Sequence, residues 1–285
     1  MDIGVGLATT VPGTGGRELI SFARRADELG FSTLAVLDRL VYDSYDAIVS
    51  LAAAAAVTER ITLAPTILLA PYWPSAALLA KQLASVDRLS GGRLVVGVAA
   101  GGRADDFTAT GVPFHRRGRL LDELLVEMKQ VWAGEGAVPG IGPRPTETEI
   151  PLWIGGNSAA SVARTAKHGI GWISGGGPVQ RFRQHADAVR EAWRAEGRTG
   201  TPKLGALTYV ALGAERKQAA GRYLLDYYSY MGERAQFLAD GVIADETRLR
   251  EVIATFAEAG CDELVLMPCG SDTGQLDEIA EVALG

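Results

Sequence analysis

The stretch Arg60–Arg103, RITLAPTILLAPYWPSAALLAKQLASVDRLSGGRLVVGVAAGGR, decides the fold that this sequence predicts. Its two ends, Ile61–Leu69 and Leu94–Ala99, are almost entirely apolar, which is typical of strands buried on both faces of a parallel sheet. A helix lies between them, because Ser75 is a suitable N-cap and the Ser90–Gly92 run is suited to ending a helix. We therefore expect a right-handed strand–helix–strand unit. Such a unit occurs in many α/β proteins, so the rest of the chain has to distinguish among them.

Strand and helix patterns alternate along the whole chain and give eight predicted strands. These are Ile3–Ala8, Thr33–Leu37, Ile61–Leu69, Leu94–Ala99, Pro151–Gly155, Gly171–Ser174, Leu204–Leu212 and Glu263–Met267. Eight such units in a chain of 285 residues fit a (β/α)8 barrel, whose usual size is about 250 residues plus insertions. A doubly wound sheet is the competing architecture, but its G-x-G-x-x-G fingerprint is missing after the first strand. We predict a single (β/α)8 TIM-barrel domain over residues 1–285, with insertions after strands 4 and 7.

The composition argues against several classes of protein. The net charge is −6 and no long basic face is present, so nucleic-acid binding is not expected. No apolar run approaches the roughly 20 residues of a membrane helix. The N-terminus lacks the basic and apolar regions of a signal peptide. We expect a cytoplasmic protein that binds neither nucleic acid nor membrane.

The ends of the predicted strands carry few groups for acid–base or metal chemistry. In a barrel, working side chains follow the carboxyl ends of the strands. No lysine directly follows a strand, which disfavours Schiff-base chemistry. The three histidines are scattered and no cluster has metal-ligand spacing, so no metal site is predicted. Only strands two and four are followed by carboxylates, and no glutamate is among them, which disfavours a glycosidase or a phosphosugar isomerase.

Two glycine-rich turns follow neighbouring strands. Gly155–Ser158 opens one helix, and Ser174–Gly177 follows the next strand. Free backbone N–H groups at a helix start bind anions, so these turns suit a phosphate-bearing ligand. The competing interpretation is that both are only tight turns. A bound phosphate beside few reactive side chains points to a cofactor that carries the reactivity itself.

Five motifs occur in order and, with the terminal EAGCDELVLMP, extend over nearly the whole chain. They are ELGFSTLAVLDR, AAAAAVTERITLAPTILLAP, LASVDRLSGGRLVVGVAAGG, RRGRLLDELLVEMKQVW and IPLWIGGNSAASVARTAKHGIGWISGG. Together they resemble the bacterial luciferase-like flavin and F420-dependent oxidoreductases, a (β/α)8 family. The resemblance implies reduced FMN or coenzyme F420 at the barrel mouth, with a non-prolyl cis peptide bond at Thr66–Ile67 against its ring. The implied cofactor-binding residues are Asp38, Thr66, Ile67, Gly101, Asp105, Gly156, Asn157, Ser158, Ser174, Gly175 and Gly176.

One departure from the family pattern concerns the end of the second strand. Many F420-dependent relatives have Asp-His there, whereas this chain has Asp38-Arg39. Arginine stays charged near neutral pH and is not a proton shuttle, so it is suited instead to holding an anionic cofactor or substrate group. His115 is the remaining histidine that could reach the mouth, unless it is simply an exposed loop residue. Asp38, Arg39 and His115 are therefore the candidate catalytic residues.

The resemblance implies an oxidoreductase. The first hypothesis is a monooxygenase that uses reduced FMN and O2 on a small organic substrate. The alternative is F420-dependent hydride transfer without O2, and a non-catalytic flavin-binding barrel is the alternative from another class. The implied partners are the substrate, a separate flavin or F420 reductase, and a second copy in a homodimer. The tyrosine-rich segment Tyr223–Met231 is either a lid and substrate wall or a packing surface at a dimer contact.

Overall fold

Eight parallel strands form a single sheet in the computed structural model, which describes residues 1–285. The strands are β1 Asp2–Gly6, β2 Thr33–Val36, β3 Thr62–Pro65, β4 Val96–Val98, β5 Leu152–Gly155, β6 Gly171–Ser174, β7 Lys203–Val210 and β8 Glu263–Pro268. Their order is β3-β2-β1-β8-β7-β6-β5-β4. Strands β3 and β4 meet through two isolated parallel bridges, Leu63–Leu94 and Leu68–Val98. The barrel is thus nearly closed, and the predicted (β/α)8 architecture is confirmed.

Helices return the chain from the end of each strand to the start of the next. They are α1 Gly16–Leu29, α2 Ala47–Ala55, α3 Ala76–Ser90, α4 Ala104–Ala109, α5 Arg117–Ala133, α6 Ala159–His168, α7 Val179–Ala195, α8 Ala214–Tyr227, α9 Arg234–Asp240, α10 Glu246–Glu258 and α11 Thr273–Leu284. Three of these helices are additional to the one helix that follows each strand in a (β/α)8 barrel. Helix α4 follows β4, and α8 and α9 follow β7. The additional chain therefore lies at the carboxyl ends of the strands, beside the barrel mouth.

The stretch that predicted the fold forms β3, α3 and β4. The Ser75 hydroxyl accepts a hydrogen bond from the Leu78 N–H at 3.2 Å, and Gly91 ends α3 in the left-handed conformation with φ 71°. Strand β3 is shorter than the apolar run predicts and ends at Pro65, which has no N–H for the ladder. The side chain of Leu63 is fully buried, as expected for a strand covered by helices.

The chain between β7 and α10 is not one continuous helix. Helix α8 ends at Tyr227, a short 3-10 turn covers Ser229–Met231, and α9 begins at Arg234. Gly232 separates the turn from α9 with φ 58° and ψ −132°, a conformation that glycine adopts readily. The break turns the tyrosine-rich segment across the barrel mouth. No helix of the protein combines the length and the apolar composition needed to cross a membrane.

Candidate active site

A cavity of about 480 Å³ opens at the carboxyl ends of the strands. The chain just past β2, β3, β4, β5 and β6 lines it, together with the tyrosine-rich segment that follows β7. Nine of the eleven predicted cofactor-binding residues lie in its wall: Asp38, Thr66, Ile67, Gly101, Gly156, Asn157, Ser158, Gly175 and Gly176. Asp105 and Ser174 are not among the lining residues. Parallel strands bring their carboxyl ends together, which explains why residues so distant in sequence share one cavity.

The peptide bond Thr66–Ile67 is cis, as the resemblance implies. Two glycines make room for Ile67: a Cβ at Gly97 would lie 3.0 Å from Ile67 Cγ2, and one at Gly155 would lie 2.8 Å from Ile67 Cδ1. The neighbouring Thr66 hydroxyl is buried and has no hydrogen-bond partner within the protein. Since buried hydroxyls are normally paired, Thr66 leaves an unsatisfied polar atom within the cavity wall.

Asp38 is the only lining residue that can exchange a proton near neutral pH. Its side chain is buried, accepting hydrogen bonds from the Tyr72 hydroxyl at 2.6 Å and from the Leu69 N–H at 2.8 Å. The pKa of Asp38 is raised to about 6, mainly by burial and also by the negative charges of Asp46 and Asp106, while the two hydrogen bonds oppose the shift. The carboxyl can therefore hold or release a proton at the bottom of the cavity.

The two glycine-rich turns present free backbone N–H groups to the cavity. Those of Gly156, Asn157, Gly175 and Gly176 donate to no acceptor within the chain. The N–H of Ser158, by contrast, donates to the Ser161 hydroxyl at 3.0 Å in a capping box that begins α6. Four unpaired donors near two helix starts form an arrangement that binds anions such as phosphate. The structure thus brings the two predicted turns together.

Four arginines that are not among the predicted site residues also line the cavity: Arg103, Arg117, Arg164 and Arg181. Arg117 and Arg164 are held by contacts within the chain, to the Gly101 carbonyl and to Asp122 respectively. Arg181 lies in the first turn of α7 and its guanidinium has no partner within the chain. A basic residue in the first turn after a glycine-rich loop is a sequence signal that could have indicated Arg181.

Arg39 and His115 do not line the cavity. The guanidinium of Arg39 is buried between elements, donating to the Tyr227 carbonyl at 2.8 Å and to Asp105 at 3.2 Å. Asp105 is therefore engaged by Arg39. His115 is exposed on a short 3-10 turn, as the competing interpretation expected. Ser174 is buried and donates its hydroxyl hydrogen to the Gly175 carbonyl at 3.0 Å. Arg39, Asp105, His115 and Ser174 do not line the cavity, so no direct contact supports the roles predicted for them.

The tyrosine-rich segment forms one wall of the cavity. Tyr227, Tyr228, Tyr230 and Met231 all line it. The hydroxyl groups of Tyr228 and Tyr209 are 2.6 Å apart, and the rings of Tyr227 and Tyr228 pack edge to face at 4.9 Å. These contacts support the interpretation of the segment as a wall of the site. No group of three or more His, Cys, Asp or Glu side chains is arranged to hold a metal ion.

Known proteins share this chain's sequence and fold to different extents. An uncharacterised protein of Mycobacterium tuberculosis is 35% identical over 173 residues, which are 56% of this chain and 60% of the relative. An F420-dependent glucose-6-phosphate dehydrogenase of Kribbella flavida is 28% identical over 221 residues, 70% of this chain and 66% of that protein. An FMNH2-dependent dimethylsulfone monooxygenase of Pseudomonas putida is 28% identical over 169 residues, 54% of this chain and 46% of that protein. The chain thus matches less than two thirds of the length of the first of these relatives.

Solved structures share the whole architecture. A monooxygenase, RslO1 from Streptomyces bottropensis, matches with a TM-score of 0.82 and 24% identity over 100% of this chain and 97% of that chain. An F420-dependent secondary alcohol dehydrogenase in complex with an F420–acetone adduct matches with a TM-score of 0.83 and 17% identity over 99% and 97% of the two chains. At these identities the likeness shows the fold. The family model described as luciferase-like monooxygenase matches residues 1–283, and the chain therefore belongs to the luciferase-like monooxygenase family.

Proposed function

We propose that this protein is a flavin-dependent oxidoreductase that uses reduced FMN and O2 to oxidise a small organic substrate. The observation that carries the proposal is the coexistence, in one cavity, of unpaired N–H donors for a phosphate and an unpaired buried hydroxyl at Thr66. Both features are polar groups left without partners by the protein itself. They fit a cofactor that combines an anionic tail with a ring bearing hydrogen-bond acceptors.

The residues that line the cavity would have three roles. The N–H groups of Gly156, Asn157, Gly175 and Gly176, with Arg181, would hold the phosphate. Thr66 and Ile67 would support the ring. When bound, reduced FMN supplies the electrons that activate O2. Asp38 holds or releases a proton beside it, and the tyrosine wall limits the access of water.

The choice of FMN over F420 rests on the end of β2. A histidine-assisted hydride transfer requires a proton acceptor at position 39, where this chain has Arg39. The guanidinium of Arg39 is buried against Tyr227 and Asp105, outside the cavity. Asp38 is then the single lining carboxyl, and it is already hydrogen-bonded by Tyr72 and Leu69. This environment favours chemistry that depends on a shielded cofactor rather than on a histidine proton shuttle at position 39.

A second candidate function is F420-dependent hydride transfer, and one observation favours it. A further cavity of about 680 Å³ shares Asn157, Gly176 and Arg181 with the first and adds Arg234 and His185, with one acidic residue, Glu233. The basic side chains extend the anion-binding region outward from the mouth. Such an extension suits the longer, multiply charged side chain of F420 better than the single phosphate of FMN.

Anaerobic titration of the purified protein with reduced FMN and, separately, with F420 distinguishes these functions. We expect saturable binding of reduced FMN, read from its absorbance and fluorescence, followed by faster O2 consumption with substrate than without it. Tight binding of F420 with no binding of FMN would favour the second candidate. Binding of a flavin without turnover of any substrate in a broad panel would favour a non-catalytic flavin-binding barrel. Binding of neither cofactor would refute the proposal.

A further inference from the structure

Arg103 is a buried arginine that forms no ion pair with a carboxylate of the chain. Only 6% of the residue is exposed, and it lines the cavity directly after the turn Gly101-Gly102. Its guanidinium takes part in no hydrogen bond and no ion pair within the protein, and its Nε is fully buried without a partner. The two terminal nitrogens are not sealed in this way, so they open on the cavity. A buried cation without a paired anion is unfavourable.

The surroundings of Arg103 explain how the cation is tolerated. Its Cζ lies 4.6 Å from the ring centroid of Tyr227, 4.7 Å from that of Tyr230 and 5.6 Å from that of Tyr228. Aromatic rings attract a guanidinium through their quadrupole, and the phenolic oxygen of Tyr227 is close enough to Arg103 that the guanidinium counters the rise in the pKa of Tyr227. The tyrosines therefore hold Arg103 in place, although no hydrogen bond of good geometry saturates its donors.

No carboxylate of the chain takes the place of the missing anion. The charge of Asp106 raises the pKa of Arg103, but the two side chains form no ion pair: Asp106 Oδ1 accepts from the N–H groups of Leu40 and Val41, and its Oδ2 has no partner. Asp105 pairs with Arg39 instead. Two other arginines of the cavity are partnered, since Arg117 bonds two carbonyls and Arg164 pairs with Asp122, while the unpartnered Arg181 is exposed. Arg103 is the buried guanidinium whose anion has to come from a ligand.

Arg103 and the glycine-rich turns lie on different elements of the cavity wall. Those turns follow β5 and β6 and have their own unpaired N–H donors and Arg181. Arg103 follows β4 and lies beneath the tyrosine wall. One cavity therefore contains two anion-binding features on different elements.

We propose that Arg103 is a specificity-determining residue that binds the carboxylate of an organic-acid substrate, whose apolar body lies against Tyr228, Tyr230 and Met231. The guanidinium fork matches a carboxylate with two parallel hydrogen bonds. The three wall residues supply an apolar surface at the same place. This inference rests on the proposed function, because it assigns a substrate class to the same site.

The test compares two probes of the same shape, 2-naphthoate and its neutral amide, by calorimetry on the full-length protein with and without saturating FMN. We expect the wild type to bind the acid at least tenfold more tightly than the amide. Arg103→Gln should abolish this preference and Arg103→Lys should keep part of it, while FMN affinity changes less than twofold in both. Arg181→Gln is the matched control, because it removes an unpartnered arginine of the same cavity. It should weaken FMN binding and keep the preference for the acid.

Several outcomes would overturn the inference. Equal affinity of the wild type for acid and amide, or no measurable binding of either, would do so without any variant. So would an unchanged preference in Arg103→Gln, or a loss of FMN affinity alone, which would assign Arg103 to the cofactor. A preference that depends on Arg103 in a protein that does not bind FMN would leave the inference standing and refute the proposed function.

Discussion

Arg39 and Tyr227 are joined by a hydrogen bond of 2.8 Å from the guanidinium to the main-chain carbonyl, although 188 positions separate them in sequence. The bond ties the end of β2 to the last turn of α8, where the tyrosine wall begins. The other terminal nitrogen of Arg39 reaches Asp105 at 3.2 Å, and its side chain is only 7% exposed. Arg39 therefore stabilises the tyrosine wall of the cavity and does not itself line the cavity.

Replacing Arg39 should consequently lower stability. Arg39→Met leaves the Tyr227 carbonyl without its donor, and an unsatisfied buried acceptor costs about 1–3 kcal/mol. Denaturant unfolding should show a loss of free energy of that size, together with a weaker tyrosine signal in near-ultraviolet circular dichroism. Arg119→Met is the control, since Arg119 forms an exposed pair with Glu123. The control should lose no more than about 0.5 kcal/mol. Equal losses in the two variants would contradict the role of Arg39.

Asp38 should make the protein less stable as the pH rises. Its carboxyl binds a proton more tightly in the folded protein, where its pKa is about 6, than in the unfolded chain, where the value is 3.8. The folded state therefore releases this proton at higher pH, and the free energy of unfolding falls between about pH 3.8 and 6. The full contribution is about 3 kcal/mol, of which about 2 kcal/mol falls between pH 4.5 and 7.

Asp38→Asn removes this titration and provides the measurement. The free energy of unfolding of the variant, minus that of the wild type, should increase by about 2 kcal/mol from pH 4.5 to pH 7. Taking the difference cancels the titration of all other groups, provided that they are unaffected. A difference that is constant with pH would show that Asp38 has an ordinary pKa.

Much of the site was predictable because the fold itself gathers it. Apolar runs indicate the strands, and in a barrel the residues after parallel strands meet at one mouth, which placed Thr66, Gly156 and Gly175 in the same cavity. Side-chain direction was not predictable in this way. Asp105 comes only two positions after Arg103, yet Asp105 turns to Arg39 and Arg103 lines the cavity. That choice depends on contacts with distant elements, which no local pattern records.

Replacing Thr66 should stabilise the cofactor-free protein and weaken its binding of the cofactor. Its hydroxyl is buried without a partner, so Thr66→Val should raise the free energy of unfolding of the cofactor-free protein by about 1 kcal/mol. The same change should weaken FMN binding about tenfold, equivalent to about 1.4 kcal/mol, if the hydroxyl bonds the cofactor. Thermal unfolding with and without FMN measures both effects.

Thr10→Val is the matched control for Thr66. Thr10 is also buried, but its hydroxyl lies 2.6 Å from that of Tyr223. Its replacement should lower stability and leave FMN affinity unchanged. If Thr66→Val destabilises the cofactor-free protein as Thr10→Val does, the Thr66 hydroxyl has a partner within the chain and is not reserved for a ligand.

Gly175 offers a direct test of the phosphate site. A Cβ at this position would meet no atom of the protein within 4 Å, and the residue is exposed at the cavity. Gly175→Leu should therefore fold normally while its side chain occupies space that the phosphate needs. Gly221→Leu on α8 is the control, because a Cβ there is equally unobstructed and the residue lies outside the cavity. We expect FMN to bind Gly175→Leu at least tenfold more weakly, about 1.4 kcal/mol, and Gly221→Leu with unchanged affinity. Unchanged affinity in both variants would place the phosphate elsewhere in the protein.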